Sequence, residues 1–206
     1  MHVDNKLNFN VHISKLCQKA GRQVSVISRL CNVLDQSSKM LLYNSFIECY
    51  FSYCSVLWHF CSNSNTYKVE KIQKRALKFI TNDFTSEYNV LLEKCKKSPL
   101  YIVRTRKFLE VVFRILNGMY PGYLTSFLSL KDNALHLRSV KPLNVPTFKT
   151  IKYGKSSMRY IAPHYWNKSP NDLKNCQNIN CFKSILKEWC PVCTCGFCVL
   201  CRISNL

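Results

Sequence analysis

Apolar residues recur at every third or fourth position in three long segments, and this spacing constrains the fold more than any other feature. The helical period is clearest at 12–34, at 65–83 and at 100–117, with Gly118 placed to end the third segment. Side chains three and four residues apart share one face of an α-helix, so each segment predicts an amphipathic helix with one buried stripe. The sequence therefore predicts a mainly α protein.

A further helix is predicted at 38–61, where the chain carries its longest apolar run, MLLYNSFIECYFSYCSVLWHF. Polar residues such as Glu48 and His59 interrupt this run too often for a membrane-spanning helix, which needs about 20 predominantly apolar residues. We therefore expect a mostly buried central helix, capped at Ser37 or Ser38, and no membrane partner.

The segment 65–83 combines its apolar stripe with an almost purely cationic opposite face. Like charges three or four residues apart cost roughly 0.2–0.5 kcal/mol per pair, and an anionic partner would relieve that cost. An ordinary solvated helix face is the competing interpretation. The cations that we predict to contact nucleic acid in this segment are Lys68, Lys71, Lys74, Arg75 and Lys78.

More basic residues follow, and the whole chain carries 30 Lys and Arg against 11 Asp and Glu, a net charge of +19. Such an excess favours a polyanionic partner, because each cation near a phosphate releases a condensed counterion. Contacts to phosphates position a nucleic acid without reading its bases, so weak sequence specificity is expected. The further predicted contacts are Lys96, Lys97, Arg104, Arg106 and Lys107, and then Lys152, Lys155 and Arg159.

The pattern changes after residue 130. Residues 131–170 are rich in Pro, Ser, Asn and isolated aromatics, which predicts short strands and an irregular aromatic-rich loop. Short amphipathic helices are predicted before and after this stretch, at 122–130 and 178–189. We therefore expect a small irregular α+β extension at 131–189.

Catalytic carboxylates are scarce. The aspartates are far apart in the sequence and never adjacent, whereas a two-metal phosphoryl-transfer site needs clustered carboxylates to hold two ions about 3.5–4 Å apart. No Ser–His–Asp or Cys–His arrangement stands out either. We therefore expect that this chain is not an enzyme.

The N-terminal sequence, MHVDNKLNFNVHISK, lacks the basic start and apolar run of a secretory signal peptide. We therefore expect an intracellular protein, nuclear or cytoplasmic, that is not secreted. Its 13 cysteines are then predicted to be reduced thiols, because disulfides rarely persist in those compartments.

Five of these cysteines crowd the segment CPVCTCGFCVLC near the C-terminus. Cys190 with Cys193, and Cys198 with Cys201, are C-x₂-C pairs of the kind that bind zinc, but only four residues, including Cys195, separate the pairs. A Zn²⁺ ion on these four thiolates is the one cofactor that the sequence suggests. An unliganded reduced tail and redox chemistry stay open as alternatives.

Several segments, taken in order, resemble the region that follows the polymerase core in reverse transcriptases of jockey-like, LINE-type non-LTR retrotransposons. The resemblance rests on VDNKLNFNVHISKLCQKA, LLYNSFIECYFSYCSVLWHF, NTYKVEKIQKRALKFI, RKFLEVVFRILNGMYP, YGKSSMRYIAPHYWNKSP and CFKSILKEW, whose final Trp is followed by a Cys cluster. It covers essentially the whole chain, and it depends on the order of these segments because none is decisive alone.

The resemblance implies four parts. Residues 1–13 would be the last hairpin of a polymerase palm and 14–130 a helical thumb-like domain, which in polymerases grips the primer–template backbone. Residues 131–189 would be a C-terminal extension, and 190–206 the Cys-rich tail. The polymerase core with its catalytic aspartates would lie upstream of Met1 and would be a partner in the intact element.

These observations predict a non-catalytic fragment of a retrotransposon RNA-directed DNA polymerase that binds RNA or DNA through basic helices. The alternatives are a domesticated stand-alone nucleic-acid-binding protein and a zinc-binding scaffold organised around the tail. The sequence does not indicate an oligomeric state.

Overall fold

The computed structural model describes residues 1–3, 5, 7–131, 142–150, 154 and 157–189. The protein is mainly α-helical, which confirms the prediction from apolar spacing. The helices are α1 (Asn10–Arg29), α2 (Gln36–Leu42), α3 (Cys49–Ser52), α4 (Ser55–Trp58), α5 (Asn63–Thr81), α6 (Tyr88–Lys94), α7 (Leu100–Leu116), α8 (Gly122–Thr125), α9 (Met158–Lys168), α10 (Asn171–Lys174) and α11 (Ile179–Glu188). A π-helical turn, Tyr43–Glu48, joins α2 to α3.

The chain divides into two compact units, Met1–Arg104 and Thr105–Val192. The division falls inside α7, whose first turn belongs to the first unit and whose remainder belongs to the second. The domain boundaries predicted after residues 13, 130 and 189 stay predictions.

Apolar faces of α1 and α5 pack together and, with the segment between them, form the core of the first unit. The spacing of the buried residues is helical, because each helix turns one stripe towards its neighbour. The main contributors are Ile13, Leu16, Ala20, Val24, Ile27, Tyr43, Ile47, Phe51, Trp58, Val69, Ala76, Leu77 and Ile80.

The hairpin predicted at 1–13 is not found. No strand lies among the described residues of that range, and α1 already begins at Asn10. Ile13 begins the apolar stripe that Leu16 and Ala20 continue. The helical spacing therefore extends back into the range that the resemblance assigned to a hairpin.

The single helix predicted at 38–61 is broken into shorter pieces. Cys54 takes a left-handed conformation with a φ of 48°, so α3 ends before it and α4 starts after it. The helix α2 is capped by the Asp35 carboxylate, which accepts the backbone N–H groups of Ser37 and Ser38, so the predicted serine cap is wrong. A carboxylate two residues earlier reaches these donors and also favours the positive helix end.

The segment is also less buried than predicted. Tyr43, Ile47 and Trp58 are buried, but Leu41 is 66% exposed and Leu57 58% exposed. The polar residues of this run recur at helical spacing, but the break at Cys54 changes which side chains face the core, so that Ser55 is buried and Leu57 is exposed.

In the second unit, Gly118 ends α7 as predicted. It has a φ of 67°, and the next residue, Met119, donates its N–H to the Arg114 carbonyl at 2.9 Å. Glycine adopts this left-handed conformation without the steric penalty of a Cβ, so it commonly closes a helix.

The remaining helices of the second unit depart from the predicted irregular extension. The helix α9 lies where an aromatic-rich loop was expected, and it buries Ala162, Pro163 and Trp166. The helix α11 matches the prediction at 178–189, and its Phe182 ring stacks on Phe113 with ring centres 4.3 Å apart. An isolated antiparallel bridge joins Leu130 to Leu143, and no strand occurs in the described part of the extension, so its β component is not confirmed.

Candidate nucleic-acid interface

The helix α5 presents the cationic face predicted from the sequence. It begins after Ser62, whose hydroxyl oxygen accepts the Asn65 N–H at 3.3 Å, and it ends at Asn82, which has a φ of 52°. Small polar residues at both ends are expected, since a serine oxygen caps the first turn and asparagine tolerates the left-handed conformation.

The five predicted cations of this helix all reach the surface. The Lys78 ammonium donates to the Phe84 carbonyl oxygen at 2.7 Å, which holds that side chain along the following turn. No ion pair between described residues includes any of the five. The exposed members are Lys68, Lys71 and Arg75, and the half-buried members are Lys74 and Lys78.

The one acidic residue of α5, Glu70, points away from this surface and is fully buried. Its carboxylate oxygens accept hydrogen bonds from the backbone N–H groups of Leu100 at 3.1 Å and Tyr101 at 2.6 Å. These two bonds cap the N-terminus of α7. Because the carboxylate is used there, it cannot neutralise the lysines on the outer side of its own helix. The charged residues on the outer face of α5 are therefore all cations. We call its five cations, Lys68, Lys71, Lys74, Arg75 and Lys78, the α5 cationic face.

Burial is the main influence on the Glu70 carboxyl. Desolvation raises its pKa above the usual value, against the lowering effect of its hydrogen bonds and of the Arg104 charge. The Tyr88 hydroxyl lies 2.6 Å from Glu70 and 2.5 Å from the Gln73 amide oxygen. The Tyr88 hydroxyl has one proton and can donate it to only one of these two oxygens at a time. Because burial raises the pKa of the Glu70 carboxyl, this carboxyl can hold a proton of its own and donate it within the cluster.

Lys96 and Lys97, which follow α6, differ in how exposed their side chains are. Lys96 is exposed, with a φ of 50°. Lys97 is partly buried, because its ammonium pairs with the Glu48 carboxylate at 2.8 Å and lies over the Tyr43 ring at 5.5 Å. A phosphate would have to compete with Glu48 for Lys97, so Lys96 is the better candidate of the two.

Arg104, a predicted contact, does not reach the surface. It is 1% exposed, and its guanidinium lies over the Trp58 ring at 4.6 Å. Within the described ranges, none of its three side-chain nitrogens has a hydrogen-bond partner. The prediction is therefore wrong for Arg104. The basic run around it suggested a solvated side chain, but Arg104 lies on the apolar side of α7.

Arg106 is engaged by the backbone of its own unit. Its guanidinium donates to the carbonyl oxygens of Lys187 at 2.7 Å and Trp189 at 3.3 Å, at the end of α11. A cation at a helix C-terminus stabilises the negative dipole end, so this side chain serves the fold. Lys107 is half-buried, and Arg159 is exposed on α9.

The remaining predicted residues lie outside the described residues. These are Lys152 and Lys155 and the tail cysteines Cys190, Cys193, Cys198 and Cys201. Among the residues that the structure does describe, no cluster of three or more His, Cys, Asp or Glu side chains is arranged to hold a metal ion.

No family model, curated protein or solved structure matches this chain. The comparisons therefore add no relative whose fold or residues could be carried over. In the described part of the chain, no helix has both the length and the apolar character that crossing a bilayer requires.

Sequence reasoning did not select the basic residues of α1. Lys15, Lys19 and Arg22 are exposed, and α1 contains no acidic residue. They recur at four- and three-residue spacing opposite the apolar stripe, which is the same signal that identified α5. Of these three, only Lys15 lines a groove together with a cation of α5, Lys68.

Proposed function

We propose that this chain binds the phosphate backbone of RNA or DNA through the α5 cationic face. One observation carries the proposal: five cations lie on the outer side of one helix while its only carboxylate is turned into the core. Fixed cations without acidic partners are the groups that polyphosphates neutralise, and counterion release then supplies the binding free energy.

The mode of binding follows from the side chains. Lysine and arginine on a helix surface reach phosphate oxygens, and such contacts position a nucleic acid without reading its bases. The protein should therefore bind duplexes of different sequence with similar affinity. A role as a non-catalytic piece of a retrotransposon polymerase, which would hold a primer–template or the element RNA, agrees with this mode and rests on the resemblance alone.

The binding proposal is tested with a fluorescent primer–template duplex and three proteins. The first is the wild type, and the second is Lys71→Gln/Lys74→Gln/Arg75→Gln, which removes three charges from the α5 cationic face. The third is Lys131→Gln/Lys168→Gln/Lys187→Gln, a control that removes three exposed charges from the other unit.

We expect the α5 variant to lose at least tenfold in affinity at 50 mM salt and the control to lose less than threefold. Equal losses would show that only total charge matters, and unchanged affinity in the α5 variant would refute the proposed interface. Circular dichroism checks that both variants stay folded, since the substituted residues are exposed or half-buried.

A further inference from the structure

The helices α1 and α5 lie parallel, with their N-termini side by side. At this end the Asn65 amide donates to the Asn10 side-chain oxygen at 2.6 Å. At the other end the Lys39 ammonium donates to the carbonyl oxygen of Cys31, just past α1, at 3.1 Å and to that of Phe79, in the last turn of α5, at 3.3 Å. A hydrogen bond therefore joins the N-termini of α1 and α5, and the Lys39 ammonium bridges their C-terminal ends.

Parallel packing brings like ends of two helix dipoles together, which is unfavourable unless opposite charge lies at each end. The negative end has such a charge, because Lys39 is 2% exposed and its ammonium lies against the terminal carbonyls. Among the residues that the structure describes, no such charge lies at the positive end. Neither α1 nor α5 has an acidic residue in its first turn, and the residue before α1, Phe9, has no side-chain group that could cap it.

An open groove of about 630 Å³ lies at this positive end, between the first turns of the two helices. Lys15 from α1 and Lys68 from α5 both line it, together with the hydroxyl-bearing Ser14, Ser62 and Ser64. The described lining contains no carboxylate. The groove thus combines two lysines, three hydroxyl groups and two helix N-termini, and all of these stabilise an anion.

We propose that this groove binds one phosphate group of the same polynucleotide backbone that crosses the α5 cationic face. This inference rests on the proposed function, and Lys68 belongs to both surfaces. From Lys68 to Lys78 the helix extends about 15 Å at its 1.5 Å rise per residue. The groove adds a contact at one end of that track, where Lys15 supplies a cation from a second helix.

The first test does not depend on nucleic-acid binding. The ¹⁵N-labelled wild-type chain is titrated with inorganic phosphate at constant ionic strength, and backbone amide shifts are recorded. We expect saturable shifts at Val11, Ser64 and Asn65 that weaken at least threefold in Lys15→Gln. The matched control Lys19→Gln removes the same charge one turn along α1, outside the groove lining, and should titrate like the wild type.

The second test uses a 12-nucleotide strand and the salt dependence of its affinity. Each phosphate contact to single-stranded nucleic acid contributes about −0.7 to the slope of log K against log salt concentration. Lys15→Gln should therefore make the slope shallower by about 0.7 relative to Lys19→Gln. Equal slopes for the two variants would overturn the inference while leaving binding on the α5 cationic face intact.

The two tests separate the failures. Phosphate shifts at the groove with equal slopes would mean that the groove takes free phosphate, and the proposed backbone contact would be wrong. If the wild type binds no nucleic acid, the proposed function fails. In that case the phosphate titration tests only whether the groove binds phosphate. Shifts that depend on Lys15 would support a phosphate site, and their absence would refute it.

Discussion

At the scale of single residues, Glu70 and Arg104 show what the sequence hides. Both lie in strongly basic stretches, and Arg104 was predicted to contact nucleic acid. In the structure both side chains are buried: the Glu70 carboxylate accepts the first N–H groups of α7, and the Arg104 guanidinium lies over Trp58. The partners of Glu70 are 18 to 31 positions further along the chain, so a local pattern could not identify them.

The raised pKa of Glu70 makes the free energy of unfolding depend on pH. Its ordinary value is 4.5, and burial raises it in the folded state. Between these two pKa values the unfolded chain has released the proton and the folded chain has kept it. Glu70 by itself therefore lowers the stability of the folded chain as the pH rises above 4.5, whereas burial of His12 and His59, which lowers their pKa values, acts in the opposite direction. Glu70→Gln lacks the Glu70 titration, so its stability should rise relative to that of the wild type over this range.

Urea unfolding of both proteins at several pH values between 4 and 7 measures the difference. Parallel pH profiles for the two proteins would show that Glu70 has the same pKa folded and unfolded. A wild type that gains stability over this range relative to Glu70→Gln would show that hydrogen bonding to the carboxylate outweighs its burial.

Arg104 should have no part in binding, because its guanidinium is buried under Trp58. Arg104→Met keeps the length of the side chain and removes a buried cation that makes no hydrogen bond, a change that is often neutral or stabilising. We expect unchanged affinity for a duplex at 50 mM salt, compared with a clear loss in Lys71→Gln. A loss in Arg104→Met as large as in Lys71→Gln, in a protein that stays folded, would contradict the assignment of Arg104 to the core.

At the scale of elements, the bounds of three helices were predicted closely, whereas α1, predicted at 12–34, ends five residues earlier at Arg29. The helices α5, α7 and α11 lie within about two residues of their predicted bounds, because each has a full apolar stripe and a recognisable end. The breaks around Cys54 depend on one backbone conformation, which no residue pattern encodes. The helix α9 was missed because its proline and scattered aromatics are typical of loops.

The break at Cys54 leads to a stability prediction. A side chain in the left-handed conformation costs about 1 kcal/mol relative to glycine, and Cys54 is exposed, so its side chain contributes little packing. Cys54→Gly should raise the free energy of unfolding by about 0.5–1 kcal/mol. The control Cys49→Gly is also exposed but right-handed and helical, and it should lower stability by a similar amount.

Chemical denaturation of the two glycine variants and the wild type checks both signs. If both variants are destabilised, the left-handed conformation at Cys54 does not occur in solution. If both are stabilised, the helical assignment at Cys49 is wrong.

At the scale of the whole molecule, charge and fold class could be predicted and the arrangement of charge could not. A net charge of +19 indicates a polyanionic partner without locating it. The structure adds that α1 and α5 are parallel neighbours, so cations more than 50 residues apart in the sequence line one groove. That pairing depends on long-range packing, so the sequence could not place Lys15 beside Lys68, although the helical spacing of the α1 cations can be read from it.

The central claim is that the α5 cationic face binds phosphates, and the salt dependence of duplex binding tests it most directly. With five phosphate contacts the slope of log K against log salt should be about −4.5, a loss of about 500-fold between 50 and 200 mM. Lys71→Gln/Lys74→Gln/Arg75→Gln should retain a slope of about −1.8 and lose about 12-fold over the same range. The same slope for this variant and the wild type, or a wild-type affinity that ignores salt, would contradict the account.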